Sequence, residues 1–166
     1  MENGLRPISD VAEDDIFIVG YPRSGHTWFQ NLVAGIVFGV DPELAHDSLI
    51  QDLVPDVHYK RFYKRYGAVA YFKSHELPHK DYRRVVYLLR DGRDVMVSYW
   101  HFLKALQGNV DFLKLVHGDG LAPCHWHEHV EQWLANPHKA DQHIVRYEDL
   151  QKQPAREIER FCVFAR

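Results

Sequence analysis

Only two cysteines, Cys124 and Cys162, occur in the 166 residues, so no disulfide framework holds this chain together. That excludes the small secreted scaffolds and predicts a reducing, cytoplasmic setting. No apolar run is long enough to cross a bilayer and no signal peptide is expected. A positive excess is also missing: 20 Lys and Arg face 23 Asp and Glu, a formal charge of −3, which gives no reason to expect a nucleic-acid partner. Internal repeats and low-complexity linkers are absent, which excludes a solenoid. What remains is one domain's length of chain, 46% hydrophobic, enough to bury a core.

The basic residues are unevenly spread. Ten of the twenty lie between Lys60 and Arg93, among three acidic residues. Such a run is either a solvated face or a field for a small polyanion.

Residues 15–31 organise the chain. Ile16, Phe17, Ile18 and Val19 have the pattern of a strand buried on both faces. Gly20, Pro22 and Gly25 break it, and Trp28, Phe29, Leu32, Val33, Ile36 and Val37 then follow at helical spacing. A strand, a glycine-bounded loop and a helix aim backbone N–H groups and a helix N-terminus at one point, which suits an anion. Gly20 to Gly25 has P-loop spacing and Thr27 stands at the hydroxyl position, but His26 replaces the lysine and the loop's cation is Arg23. An ordinary strand-to-helix turn has the same outline.

The rest alternates in the same manner. Met1 to Asp14 is polar and is expected to be a loose N-terminal segment, with the domain running from 15 to 166. Short helical pieces and loop are expected from Val40 to Pro55, and a helix end or connection over His58–Tyr66. Ala68–Lys73, Val85–Leu89 and His143–Tyr147 read as strands. Asp91–Leu106, Asn109–Val116, His125–Leu134 and Pro154–Phe164 read as helices, the last opening on proline. Buried strands alternating with helices predict an α/β fold, a three-layer parallel sheet with helices on both faces. Ligands of such sheets bind beyond the carboxyl ends of the strands.

The polar residues fall there. The first strand delivers the Arg23 loop. The second ends in Phe72-Lys73-Ser74-His75-Glu76. The third ends in Arg90-Asp91-Gly92-Arg93-Asp94, with Ser98 on the first turns of the next helix. A helix N-terminus, Arg90 and Ser98 would form a second anion pocket, separate from the loop's own. Each piece has an ordinary reading too, a surface histidine or a charged turn.

These residues carry a resemblance to the soluble, cytosolic-type sulfotransferase family, which transfers a sulfuryl group from 3′-phosphoadenosine 5′-phosphosulfate (PAPS) to a hydroxyl or amine. Tyr21-Pro22-Arg23-Ser24-Gly25-His26-Thr27-Trp28 resembles that family's 5′-phosphosulfate loop, usually Tyr-Pro-Lys-Ser-Gly-Thr-Thr-Trp. Lys73-Ser74-His75 resembles the Lys-Thr-His that carries its catalytic histidine. Val86 to Arg90, continuing through Val97 to Phe102, resembles the 3′-phosphate segment, with Arg90 and Ser98 eight residues apart. Arg146 to Leu150, with Pro154, Glu157 and Ile158, resembles the following strand and helix. The likeness covers nearly everything after residue 15 and implies a P-loop NTPase-like fold.

The resemblance implies that Arg23, Ser24, Gly25, His26 and Thr27 hold the 5′-phosphosulfate, and that Trp28 and Tyr147 contact the adenine. Arg90 and Ser98 would clamp the 3′-phosphate. His75 would be the general base, with Lys73 and Arg23 offsetting charge on the transferring group. It implies no metal, and 3′-phosphoadenosine 5′-phosphate (PAP) as product. The acceptor would be a small molecule, phenolic or an apolar alcohol if the aromatics Tyr99, Trp100, Phe102 and Trp126 line its pocket. Arg23 and His26 depart from the usual residues, and the family's late Arg-Lys-Gly segment has no counterpart before Arg166, so the chain reads as C-terminally shortened. A truncated non-catalytic nucleotide-binding domain and a kinase-like phosphotransferase stay open as alternatives. His125 and His129, one helical turn apart beside Cys124 and His127, have metal-chelating spacing, set against a wet helical face or a lining of the acceptor pocket.

Overall fold

Alternation along Ile16–Gly20 sends Ile16 and Ile18 to one side of a sheet and Phe17 and Val19 to the other, and all are buried. The computed structural model describes residues 4–41, 43–118 and 121–166. In chain order the elements are β1 (Leu5–Pro7), β2 (Ile16–Gly20), α1 (His26–Phe38), α2 (Asp47–Leu53), β3 (Phe62–Lys64), β4 (Tyr71–Ser74) and β5 (Arg84–Leu89). There follow α3 (Gly92–Gln107), α4 (Phe112–Val116), α5 (Trp126–Ala135), β6 (Asp141–Arg146), α6 (Tyr147–Lys152) and α7 (Pro154–Phe164).

The main sheet runs β4-β2-β5-β6 with every pair parallel. On one face Ile16, Ile18, Val86, Leu88 and Val145 pack with Phe29 and Val33 of α1, Leu150 of α6 and Phe161 of α7. On the other, Phe17, Val19, Val85 and Tyr87 meet Tyr63, Tyr82 and Trp133 of α5. Apolar layers on both faces explain why β2 and β5 read as continuous hydrophobic runs. This is the expected three-layer α/β architecture. Asp91 caps α3 by accepting from the Arg93 amide, and Pro154 opens α7.

Two expectations need correction. The segment before residue 15 is not simply loose: β1 pairs antiparallel with β3, and β3 lies within the stretch expected to be a helix end or connection. Its anchor is Asp15. This fully buried carboxylate takes both terminal nitrogens of Arg65, at 2.8 and 2.6 Å, and the amides of Ala12 and Ala70. A buried charge holds only with its partners satisfied, and the two chain segments come together around it. At the other end, β6 stops at Arg146 and Tyr147 opens a short helix instead of extending the strand. No helix among the described residues is long and apolar enough to cross a membrane.

Candidate functional site

The strand order changes direction at β2: the chain passes from β2 out to β4 on one side, and β5 and β6 extend the other. The crevice between β2 and β5 is where an open parallel sheet receives a ligand. A cleft of about 900 Å³ opens there. The loop after β2 contributes Arg23, Gly25, His26, Thr27 and Trp28. Lys73 and His75 come from the exit of β4, Arg90 from that of β5, Ser98 from α3, and Tyr147 from the start of α6. Of the residues assigned to the nucleotide and the chemistry, all but Ser24 line this cleft; Ser24 is buried, its Oγ without a hydrogen-bond partner.

Two glycines make the loop possible. Gly25 has φ 101°, and a Cβ on it would sit 2.8 Å from the Tyr147 ring; at Gly20 a Cβ would meet the Leu88 carbonyl oxygen at 2.4 Å. Arg23 is held at φ 71°, a left-handed conformation that a long side chain adopts only when its surroundings insist. Gly25 brings no side-chain cap to α1, and the first turn has no acidic residue. The first N–H groups of this helix, and the positive end of its dipole, are therefore available to an anion.

The sequence suggested two separate anion pockets, and the structure joins them. Arg23 Nε donates to Ser98 Oγ at 3.3 Å, and its guanidinium lies 4.9 Å from the Phe102 ring centre. Arg90 donates to the Arg23 carbonyl at 3.0 Å, lies 4.3 Å from the Tyr147 ring centre, and keeps its buried Nε unpartnered. Trp28 meets Tyr147 edge to face at 5.8 Å. Arg90 and Ser98 thus share one cleft with the loop, because the bend that exposes Arg23 turns its side chain onto α3. A second cleft of about 850 Å³, between Asp91–Asp94, Trp126 and Glu148, opens on the far side of Arg90.

At the exit of β4, His75 places Nδ1 3.0 Å from the Gly20 carbonyl oxygen. A carbonyl can only accept, so Nδ1 carries the hydrogen and Nε2 keeps its lone pair. Burial lowers the His75 pKa to about 4, with Lys73 pushing the same way, against the Gly20 hydrogen bond and Asp56.

A family model for the sulfotransferase domain matches residues 13–165. The chain belongs to the sulfotransferase family. It is 29% identical over 178 residues to human Sulfotransferase 2B1, covering 93% of this chain and 47% of that protein. It is 30% identical over 175 residues to rat Sulfotransferase 2A2, covering 93% and 60%. Among solved structures, mouse sulfotransferase SULT7A1 complexed with PAP superposes with a TM-score of 0.67 at 21% identity, over 94% of this chain and 59% of that one. The chain spans about half to three-fifths of the length of these relatives.

Two side chains of this sulfotransferase-family site, Asp56 and His58, escaped the sequence reading, and a third, His129, takes a different part from the one its spacing suggested. Asp56 is fully buried; its Oδ1 accepts from the His58 amide, and its Oδ2 lies 3.0 Å from Lys73 Nζ, an ion pair by distance though not aligned as a hydrogen bond. His58 accepts the His75 backbone N–H on Nε2 at 3.0 Å. His129 is fully buried, so the wet helical face expected for it is not there. Its ring joins the Tyr87 hydroxyl at Nδ1, 3.0 Å, and donates from Nε2 to the His75 carbonyl, 3.3 Å. With both nitrogens used, His129 makes no chelating pair with His125, which opens α5 by giving its amide to Glu128. Among the described residues no three potential metal ligands cluster. The signal for His129 was its spacing: Trp126, His129 and Trp133 recur at three and four residues, marking the inner face of α5.

Proposed function

We propose that this chain transfers a sulfuryl group from PAPS to the hydroxyl of a small acceptor, with His75 as general base. The observation that carries the reading is the His75 tautomer: Nδ1–H is committed to Gly20, leaving Nε2 as a neutral base in the cleft that the Arg23 loop also lines.

The donor's fit rests on polar groups that the protein leaves unsatisfied. Ser24 Oγ and Arg90 Nε are buried without partners, and the first turn of α1 is uncapped. Ser24, Thr27 and the amides of Gly25, His26 and Thr27 would hold the 5′ end of PAPS. Trp28 and Tyr147 would receive the adenine, and Arg90 and Ser98 the 3′-phosphate. When bound, PAPS supplies an activated sulfuryl group on a phosphate leaving group.

The chain's own residues do the rest. His75 Nε2 accepts the acceptor's hydroxyl proton as that oxygen bonds to sulfur and the bond from sulfur to the phosphate oxygen breaks, releasing PAP. Arg23 and Lys73 offset charge on the bridging oxygen and the transferring group. Such cations leave no step in this scheme for a metal. Tyr59, Tyr99, Phe102 and Pro123 give the cleft an aromatic, apolar wall, which favours a phenol or an apolar alcohol over a charged acceptor. The unpaired thiols of Cys124 and Cys162 suit a reducing cytoplasm.

Incubation with PAPS and a simple phenol tests the proposal. Formation of PAP and the aryl sulfate in equal amounts is expected, without added Mg²⁺. Saturable PAP binding with no product would make this a nucleotide-binding domain, and product only from ATP and Mg²⁺ would make it a phosphotransferase.

A further inference from the structure

His75 is enclosed by three other imidazoles drawn from three different parts of the fold. His58 stacks on it at 5.7 Å between ring centres and accepts its amide hydrogen; His129 donates to its carbonyl. His26 is different. Its ring meets His75 edge to face at 4.2 Å and 68°, yet it makes no hydrogen bond, and both nitrogens are buried without partners. Two orphan nitrogens make an imidazole a costly filler, so its shape, not its polarity, is what this position uses.

The shape fits one place. A Cβ on Gly20 would lie 3.0 Å from His26 Cε1 and 3.1 Å from Nε2, so the ring rests directly on the Gly20 backbone. That backbone supplies the carbonyl that accepts from His75 Nδ1. We propose that His26 is a positioning residue for His75: its ring, wedged between Gly20 and the His75 imidazole, shuts water from that side and keeps His75 Nδ1–H on the Gly20 carbonyl. The inference rests on His75 being the base. His26 acts through that ring and does not touch the reacting atoms, since its own nitrogens are sealed.

The electrostatics agree. Burial lowers His26 well below the ordinary histidine range, with His75, Lys73, His129 and His58 adding to it, so the brace is neutral. The groups facing His75 are His26 from α1, Lys73 from its own strand, Asp56 and His58 from the segment after α2, and His129 from α5; the one carboxylate among them is paired with Lys73.

Imidazole ¹H–¹⁵N NMR of the ligand-free chain tests this, comparing the unmodified protein with His26→Phe, which keeps a ring, and His26→Thr, which does not. The unmodified protein and His26→Phe should show a single Nδ1–H tautomer of His75 titrating in the acid range. In His26→Thr the tautomers should mix, and the His75 titration should move up toward the ordinary value by about one pH unit or more as water enters. In turnover, His26→Thr should lose about tenfold in kcat while KM for PAPS stays within about twofold, the split expected when a base is misplaced rather than the donor released. An unchanged His75 tautomer and titration in folded His26→Thr overturns the proposal. So does a mixed tautomer in the unmodified chain, a result that needs no variant. The NMR arm is independent of turnover, so an inactive unmodified chain would count against the sulfotransferase reading alone.

Discussion

Arg23 Nε and Ser98 Oγ lie 3.3 Å apart, closing the loop after β2 onto the first turns of α3. The pair joins a residue proposed for the transferring group to one proposed for the 3′-phosphate. It predicts that Arg23→Ala lowers turnover more than PAP affinity, because PAP lacks the sulfuryl group that Arg23 is proposed to assist. Arg23→Lys should keep much of the rate, since it restores the cation more usual in the resembling loop. Arg23→Lys as inactive as Arg23→Ala, with both folded, would show that the position does not act through charge.

Arg90 is the second cation over this loop, and its unpartnered Nε awaits an acceptor. PAP should therefore raise the melting temperature more than AMP does, and Arg90→Ala should erase the difference. Each hydrogen bond to a charged group contributes roughly 1.5–3 kcal/mol, enough to separate the two nucleotides clearly. Equal shifts in the unmodified protein would remove Arg90 and Ser98 from the 3′-phosphate.

Lys73 is tied to the fully buried Asp56 at 3.0 Å. Lys73→Met leaves that carboxylate unpaired, and breaking a buried pair costs about 3–5 kcal/mol. Chemical denaturation should show that loss in Lys73→Met and a partial recovery in the Asp56→Asn, Lys73→Met double variant. A double variant no more stable than the single one would contradict the pairing.

The buried histidines set the acid limit. His75 and His129 are both lowered to about 4, in each case first by burial, from an ordinary value near 6.5. The unfolded chain therefore binds more protons than the folded one between those values, and stability falls as pH drops from about 6.5 toward 4. The loss is on the order of 3 kcal/mol for each histidine at one pH unit per 1.4 kcal/mol. The melting temperature should decline steeply over that window; a flat profile from pH 7 to 5 would contradict it. The sequence alone suggests a base titrating near 6.5, with the rate falling just below neutral pH. The burial of His75 moves that limb to about 4, so initial rates should hold through pH 5.5 while the protein stays folded.

Much of this was legible in the residues because it is local. β2 and β5 show as unbroken apolar runs, α7 begins at its proline, and Arg23, Lys73, His75 and Arg90 stand at or just beyond strand ends, where a parallel sheet gathers its ligand groups. What was not legible depends on contacts between distant segments. β1 is three residues long and pairs with β3, and next to that pairing Asp15 joins Arg65. Asp56 sits in an aperiodic stretch and takes its meaning from Lys73 on a neighbouring strand. His26 looked like a defective loop lysine; only the fold shows its ring turned inward against His75.

The proposed transfer turns on His75, and the single-turnover rate with saturating PAPS and a phenolic acceptor measures its part most directly. His75→Ala should leave PAP binding within about twofold and slow transfer on the order of 10²- to 10⁴-fold relative to the unmodified chain, the usual consequence of losing a positioned base. A His75→Ala rate equal to that of the unmodified protein would contradict it.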